Sequence, residues 1–264
     1  MDGVYWDRTA RQMGREGFPS PVRARVGEVK RRAYLGLLKR WPVGPGGGWV
    51  LKTDLFDEAF DHGPFLRNLA DGALCAVGMD ISFAVTARAR ERSRSAGAAF
   101  VVADTRRLPF RSGAFNRVVS PSTLDHFPDS KDLARSLAEI ARILQPGGDL
   151  IVTLDNRQNV TDFLLRLARN LRWIPFYLGR SSTVRELERA VRGAGLRPED
   201  RTAIVHHPRL AAILAIEVLD RVKHPGLTRL FTRLLNQMQK LEQTPWRYWT
   251  GCFVAVRAYR PPGT

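Results

Sequence analysis

The chain has 264 residues, 44% of them hydrophobic and 26% charged, which suits one large domain with a proper core, or one domain with a lid. No apolar stretch approaches the roughly 20 residues that span a bilayer. The first residues, MDGVYWDRTARQ, contain no apolar signal core, so a cytoplasmic protein is expected. Two cysteines, Cys75 and Cys252, both fall in strand-like segments; they exclude a disulfide framework and are expected as buried, reduced thiols.

The net charge of +16 is the one anomaly of composition. Nucleic-acid binding, attraction to an anionic membrane or acidic substrate, and an arginine-rich coding bias all account for it. The basic residues are spread along the chain, with no aromatic-basic RNA motif and no zinc-finger spacing, so nucleic acid is an allowed partner but not the favoured one.

Residues 1–20 read as polar and irregular. Over 21–41, Val22, Val26, Val29, Ala33 and Leu37 recur at helical spacing between arginines and lysines, which predicts a basic amphipathic helix. Pro42 and the run GPGGG (44–48) end it and form a hinge, so residues 1–48 are expected as a basic helical extension and 49–264 as the main domain.

From residue 49 short apolar runs alternate with helical stretches. The runs are WVLKTD (49–54), ALCAVGMD (73–80), AAFVVAD (98–104), FNRVVSPS (115–122), DLIVTLD (149–155), RTAIVHH (201–207) and GCFVAVRAY (251–259). Continuous apolar strands between helices imply an α/β fold with a mostly parallel, seven-stranded sheet covered on both faces. Ligands of such sheets bind at the carboxyl ends of the strands, so the chemistry is expected just after residues 54, 80, 104, 120 and 155. Between the last two strands, two amphipathic helices near 209–222 and 227–241 form a helical insertion (208–246). It is too apolar for a solvated loop and is expected to close over the sheet's open edge as a lid, or to pair with a second subunit.

Taken together these segments resemble Rossmann-like class I S-adenosylmethionine-dependent methyltransferases, of the type 11-like group that includes quinone-biosynthesis enzymes. The match is carried by VGMDIS (77–82), VVADTRRLPFRSGAFNRVVS (101–120), STLDHF (122–127) and EIARILQPGGDLIVT (139–153). Asn116 replaces the family's usual Asp. The resemblance implies S-adenosylmethionine as cofactor: Asp80, with Ile81 beside it, on the ribose hydroxyls; Asp104 on the adenine amino group; the backbone of Thr105 at the ring edge; and Ser120 at the end of the fourth strand. Gly147 and Gly148 permit the tight turn of QPGG.

One departure stands out. The family's first strand runs into a glycine-rich turn whose backbone amides approach the methionine part of the cofactor. Here VLKTDLFDEAFDHG (50–63) has no glycine before Gly63, and Lys52 stands where the family has an acid. The favoured reading keeps the cofactor, with Asp54 or Glu58 pairing its ammonium or offsetting its sulfonium charge. Binding without methyl transfer is a second reading. A divalent metal on Asp54, Asp57, Asp61 and His62 is chemically allowed, but no metal is expected.

Methyl transfer needs alignment, exclusion of water and, for a hydroxyl acceptor, a base. His126, after the fourth strand, is the first candidate; Asp125 either orients it or faces away, and packing of His126 on the next helix is the competing role. His206 and His207 alternate on a strand, so at most one faces a pocket, and neither is expected to be chemical. Asp155 and Asn156 are read as closing a turn. Trp246, Tyr248 and Trp249 are expected as core and lid packing. The expected acceptor is small or medium-sized and apolar or lipid-like.

Overall fold

A computed structural model describes residues 3–13, 20–42, 48–60, 65–70, 73–93, 97–127, 129–173 and 179–263. Asp61, His62 and most of the GPGGG hinge lie outside the described residues. All seven expected strands form: β1 (Trp49–Lys52), β2 (Cys75–Asp80), β3 (Ala98–Val102), β4 (Phe115–Pro121), β5 (Leu144–Asp155), β6 (Arg197–His206) and β7 (Gly251–Tyr259). They make one sheet in the order β3-β2-β1-β4-β5-β7-β6. Every pairing is parallel except those of β7, which runs antiparallel to both neighbours.

The helices are α1 (Gly3–Gln12), α2 (Pro21–Arg40), α3 (Phe56–Phe60), α4 (Phe65–Ala70), α5 (Phe83–Arg92), α6 (Ser130–Ile143), α7 (Asp162–Asn170), α8 (Val184–Gly193), α9 (Arg209–Val222), α10 (Pro225–Met238) and α11 (Arg247–Thr250). Successive strand residues point to opposite faces, and the two cores follow that alternation. Val50, Val119 and Ile151 face one core with Tyr34, Leu37 and Trp41 of α2. Leu51, Val118 and Val152 face the other, with Leu137 and Ile140 of α6 and Leu187 and Val191 of α8. The predicted helix at 21–41 therefore exists, and it shares a core with the sheet.

The QPGG turn needs its glycines. Gly147 has φ +79°, and a Cβ on Gly148 would meet the backbone oxygens of Asn116, Gln145 and Phe115 at 2.9–3.1 Å. Cys252 is buried, as expected, whereas Cys75 is only partly so.

Three expectations are corrected. Residues 3–12 are a helix, not irregular chain; α1 packs on α5, where the Asp7 carboxylate accepts the Ala84 N–H (3.0 Å) and the Ser82 hydroxyl (2.5 Å). An acid at that helix N-terminus satisfies a donor the helix itself leaves open. The insertion does form two helices, α9 and α10, but it packs through Ile216, Leu219 and Phe231 onto Val22 and Val26 of α2. Trp246 and Trp249 stack on each other, 5.0 Å between ring centroids, and are both half exposed instead of buried in a core.

Candidate functional site

A cavity of about 250 Å³ opens at the carboxyl ends of β1–β4, where a doubly wound sheet binds its ligands. Residues from four strand ends and two N-terminal helices line it. Thr53, Asp54, Phe56 and Asp57 follow β1; Asp80 and Ile81 end β2; Asp104 and Thr105 follow β3; Ser122, Thr123, His126 and Phe127 follow β4; Trp6 and Lys30 come from α1 and α2. No lining residue belongs to 208–246. The cover over this cavity is α1, whose Trp6 ring lies edge-on to His126 (5.0 Å) and near Phe56 (6.2 Å).

Asp80 is held by two backbone donors, Leu55 N–H (3.1 Å) and Ser82 N–H (2.9 Å). Burial, and then the charge of Asp54, push its pKa up to about 7. A carboxylate has about four lone-pair sites, so two remain for a ligand's hydroxyls. Asp54 accepts the Phe56 N–H (2.8 Å), and burial raises its pKa as well. Asp57 pairs with Lys30 at 3.0 Å. Burial is the largest single influence and works against both charges, but the neighbours together outweigh it: Lys30 with Lys52 lowers Asp57, and Asp57 with Tyr34 and Asp54 raises Lys30.

Asp104 is gripped by Arg106, 2.6 Å from its guanidinium, and Arg106 also reaches Asp132 at 3.1 Å. Burial opposes ionisation, but the Arg106 bonds win and the pKa of Asp104 is lowered. Thr105 lies beside it, its hydroxyl 3.2 Å from that of Ser136. Asp54, Asp80, Ile81, Asp104, Thr105 and His126 are thus brought to one cavity.

Three expected site residues are not. Glu58 is buried under the β1–α3 turn, 2.7 Å from Lys52, and accepts the Leu66 N–H at 2.9 Å. Its carboxylate is committed to holding the turn and does not line the cavity. Ser120 is fully buried and its Oγ accepts the Thr53 hydroxyl (2.9 Å), which braces β1 against β4. Asp125 faces away from the cavity, accepting the Ser122 hydroxyl (2.8 Å) and the Asp155 N–H (3.0 Å). Burial and the Asp155 charge raise its pKa. It fixes the segment that carries His126 without touching the imidazole's cavity face.

His206 and His207 stand apart. His206 is buried between Thr250 Oγ1 (2.9 Å) and the Ala203 carbonyl (3.0 Å), and burial lowers its pKa. His207 is pushed down to about 4 by burial, Arg209 and His206. Neither lines the cavity. Asn156 and Asp155 close the β5 end as expected: the Asn156 amide donates to the Tyr248 and Gly251 carbonyls, and Asp155 pairs with Arg209 at 2.6 Å. Among the described residues no group of three or more His, Cys, Asp or Glu is placed to hold a metal ion.

The residues that sequence reasoning missed are Trp6 and Lys30. Both lie before the alternating segment, where spacing relates nothing to the strand ends. Lys30 looked like one more cation of an amphipathic helix.

Strand order and rim cavity define the class I methyltransferase fold. A family model, described as a methyltransferase domain, matches residues 59–152. The match begins just past the turn that has lost its glycines. The Bos taurus protein named "Probable tRNA methyltransferase 9B" is 37% identical over 62 residues, 24% of this chain and 14% of its own length. The demethylmenaquinone methyltransferase of Thermus thermophilus is 35% identical over 101 residues, 38% of this chain and 44% of its own. The chain thus matches under half the length of either relative. In fold, it is similar to a chain from the complex between the Haloferax volcanii Trm112 methyltransferase activator and a methyltransferase. That likeness has TM-score 0.63 at 20% identity, over 100% of this chain and 97% of the other.

Proposed function

We propose that the chain binds S-adenosylmethionine in the rim cavity and passes its methyl group to a small or medium-sized acceptor with an apolar body. The observation that carries this is the pair of acids, Asp80 and Asp104, ending adjacent parallel strands and lining one cavity with His126. The donor set fits the cofactor. Asp80 offers carboxylate oxygens to two ribose hydroxyls, and Asp104 with the Thr105 backbone suits an aminopurine edge. An α-amino acid end carries an ammonium and a carboxylate; Asp54 and Lys30 supply one partner for each. Side-chain charges here take the place of the backbone amides of a glycine turn.

Bound there, the cofactor supplies an electrophilic methyl on a sulfonium sulfur. The chain's own contribution is position and dryness: Trp6, Phe56 and Phe127 wall the cavity against water, and the Asp54 and Asp80 charges favour a cation between them. His126 is the group that takes a proton from a hydroxyl acceptor at its imidazole nitrogen. An acceptor that reacts as an amine or enolised carbon needs only the alignment. The net charge of +16 and the relative named as a tRNA methyltransferase support a second reading, a nucleic-acid acceptor at the same cofactor site.

Calorimetric titration with S-adenosylmethionine and S-adenosylhomocysteine tests the cofactor site. Wild-type affinity is expected at roughly 1–100 µM, weakened by Asp80→Ala and by Asp54→Ala. No binding by folded wild type rejects the reading.

A further inference from the structure

We propose that the outer faces of α7, α9 and α10 form a docking surface for an anionic lipid bilayer. All but five of the exposed large hydrophobic side chains among the described residues lie between Val160 and Trp249. They are not scattered. In α9, Ile216 and Leu219 are buried toward α2, while Leu214, Val218 and Val222 form a second, outward stripe at four-residue spacing. In α10, Leu235 is buried and Leu227, Leu230 and Leu234 face out. In α7, Leu165 packs with Leu210 and Ile213 of α9, and Phe163, Leu167 and Leu171 face out. A helix that is apolar on both sides is covered on both sides, and among the described residues only the inner side is covered.

Charge identifies the cover. Arg172, Arg221, Lys223, Arg229, Arg233 and Lys240 are all exposed on or beside these helices. Across the described residues of 160–173 and 209–240, Glu217 is the one exposed carboxylate. Aliphatic stripes interleaved with cations match the acyl boundary and anionic headgroups of a bilayer surface. Among the described residues no helix is long and apolar enough to cross a membrane, so the contact is interfacial. A second copy fits poorly: a self-complementary interface sets the same patch against itself, cation facing cation. RNA uses the cations but has no use for leucine and valine stripes. The helices α7 and α9 follow β5 and β6 at the carboxyl rim, the end of the sheet that carries the cavity. A bilayer there brings an apolar acceptor to the cavity's side of the molecule. This proposal stands independently of the methyltransferase reading, because binding is read without cofactor.

The test is flotation of the full chain with phosphatidylcholine vesicles and with vesicles enriched in phosphatidylglycerol, at roughly 0.1 M salt. The expected result is at least about ten-fold stronger binding to the anionic vesicles. Leu230→Asp/Leu234→Asp is expected to weaken that binding by about ten-fold or more, with the thermal midpoint held as proof of folding. Should that variant not fold, Arg229→Gln/Arg233→Gln carries the test, with several-fold loss expected from anionic vesicles only. Equal binding to both vesicle types, or anionic binding untouched by these variants, overturns the proposal. So does a dimer dispersed by the leucine substitutions in protein that ignores vesicles, and so does RNA binding that displaces vesicles and is indifferent to the leucines.

Discussion

The Lys52 ammonium lies 2.7 Å from the Glu58 carboxylate, with both side chains almost completely buried. Lys52 also donates to the Asp54 carbonyl, so one cation ties the end of β1 to the turn and to α3. Burial is the strongest single influence and opposes the Lys52 charge, but Glu58 together with Asp54 and Asp57 outweighs it and keeps the pKa raised. In this chain a buried ion pair organises the turn that glycines shape in the methyltransferases it resembles. Removing one partner leaves the other buried and uncompensated, so Lys52→Met or Glu58→Leu is expected to cost about 3–5 kcal/mol. The double substitution Lys52→Met/Glu58→Leu should recover most of that loss. Urea unfolding of the three variants measures it, and simple additivity would show that the pair does not act as a unit.

The raised pKa of Asp80 has consequences for stability and for binding. Its ordinary value is 3.8 and its folded value about 7, so between those limits the native state holds a proton that the unfolded chain has lost. Stability therefore falls as pH rises through this window, by at most about 1.4 kcal/mol per pH unit. Asp80→Asn is expected to flatten the decline, as seen in denaturation curves from pH 4 to 8.

Ribose hydroxyls and a sulfonium both favour ionised Asp80. Cofactor affinity is expected to rise with pH and level off above about 7, with up to one proton released per cofactor bound near pH 6. Calorimetry in two buffers of different ionisation enthalpy reads the proton directly. Affinity independent of pH from 5.5 to 8 contradicts this assignment.

The α1 cover hangs on Asp7 at the start of α5. Asp7→Ala should weaken docking of α1 by about 1 kcal/mol. Faster hydrogen exchange across residues 3–12, with exchange in β1–β4 unchanged, is the expected signature. Trp6→Ala should weaken cofactor binding without changing the stability of the sheet.

His126 as a base predicts a particular kinetic pattern for a hydroxyl acceptor. His126→Asn should lower kcat by about 10²–10⁴-fold, with cofactor affinity little changed. An unchanged kcat in the variant assigns the proton transfer elsewhere.

How much of this could be read from residues alone follows from which forces were local. Each of the seven strands contains a short apolar run, and those runs announced them, even for the edge strand β3, which has no fully buried residue. Asp80 and Asp104 sat where those runs end, which placed both at the rim before any geometry was known. The misses concern hydrogen-bond and packing partners that spacing alone does not reveal. The carboxylate of Glu58 looked available until Lys52 and the Leu66 N–H took it. Asp125 was adjacent to His126 in the chain, yet its Ser122 and Asp155 bonds turn it away. Helix α1 has weak local signals, Gly3 and Asp7 among them, and is secured by α5. The two apolar faces of α9 could not be told apart by periodicity, so the insertion read as a lid when its inner face lies on α2.

The most direct test of the account is a crystal structure with S-adenosylhomocysteine bound. The account predicts the ribose hydroxyls on Asp80, the purine beside Asp104 and Thr105, and the amino-acid end between Asp54 and Lys30, under Trp6. A ligand seated away from these residues, or an empty cavity at saturating ligand in an open lattice, would contradict it.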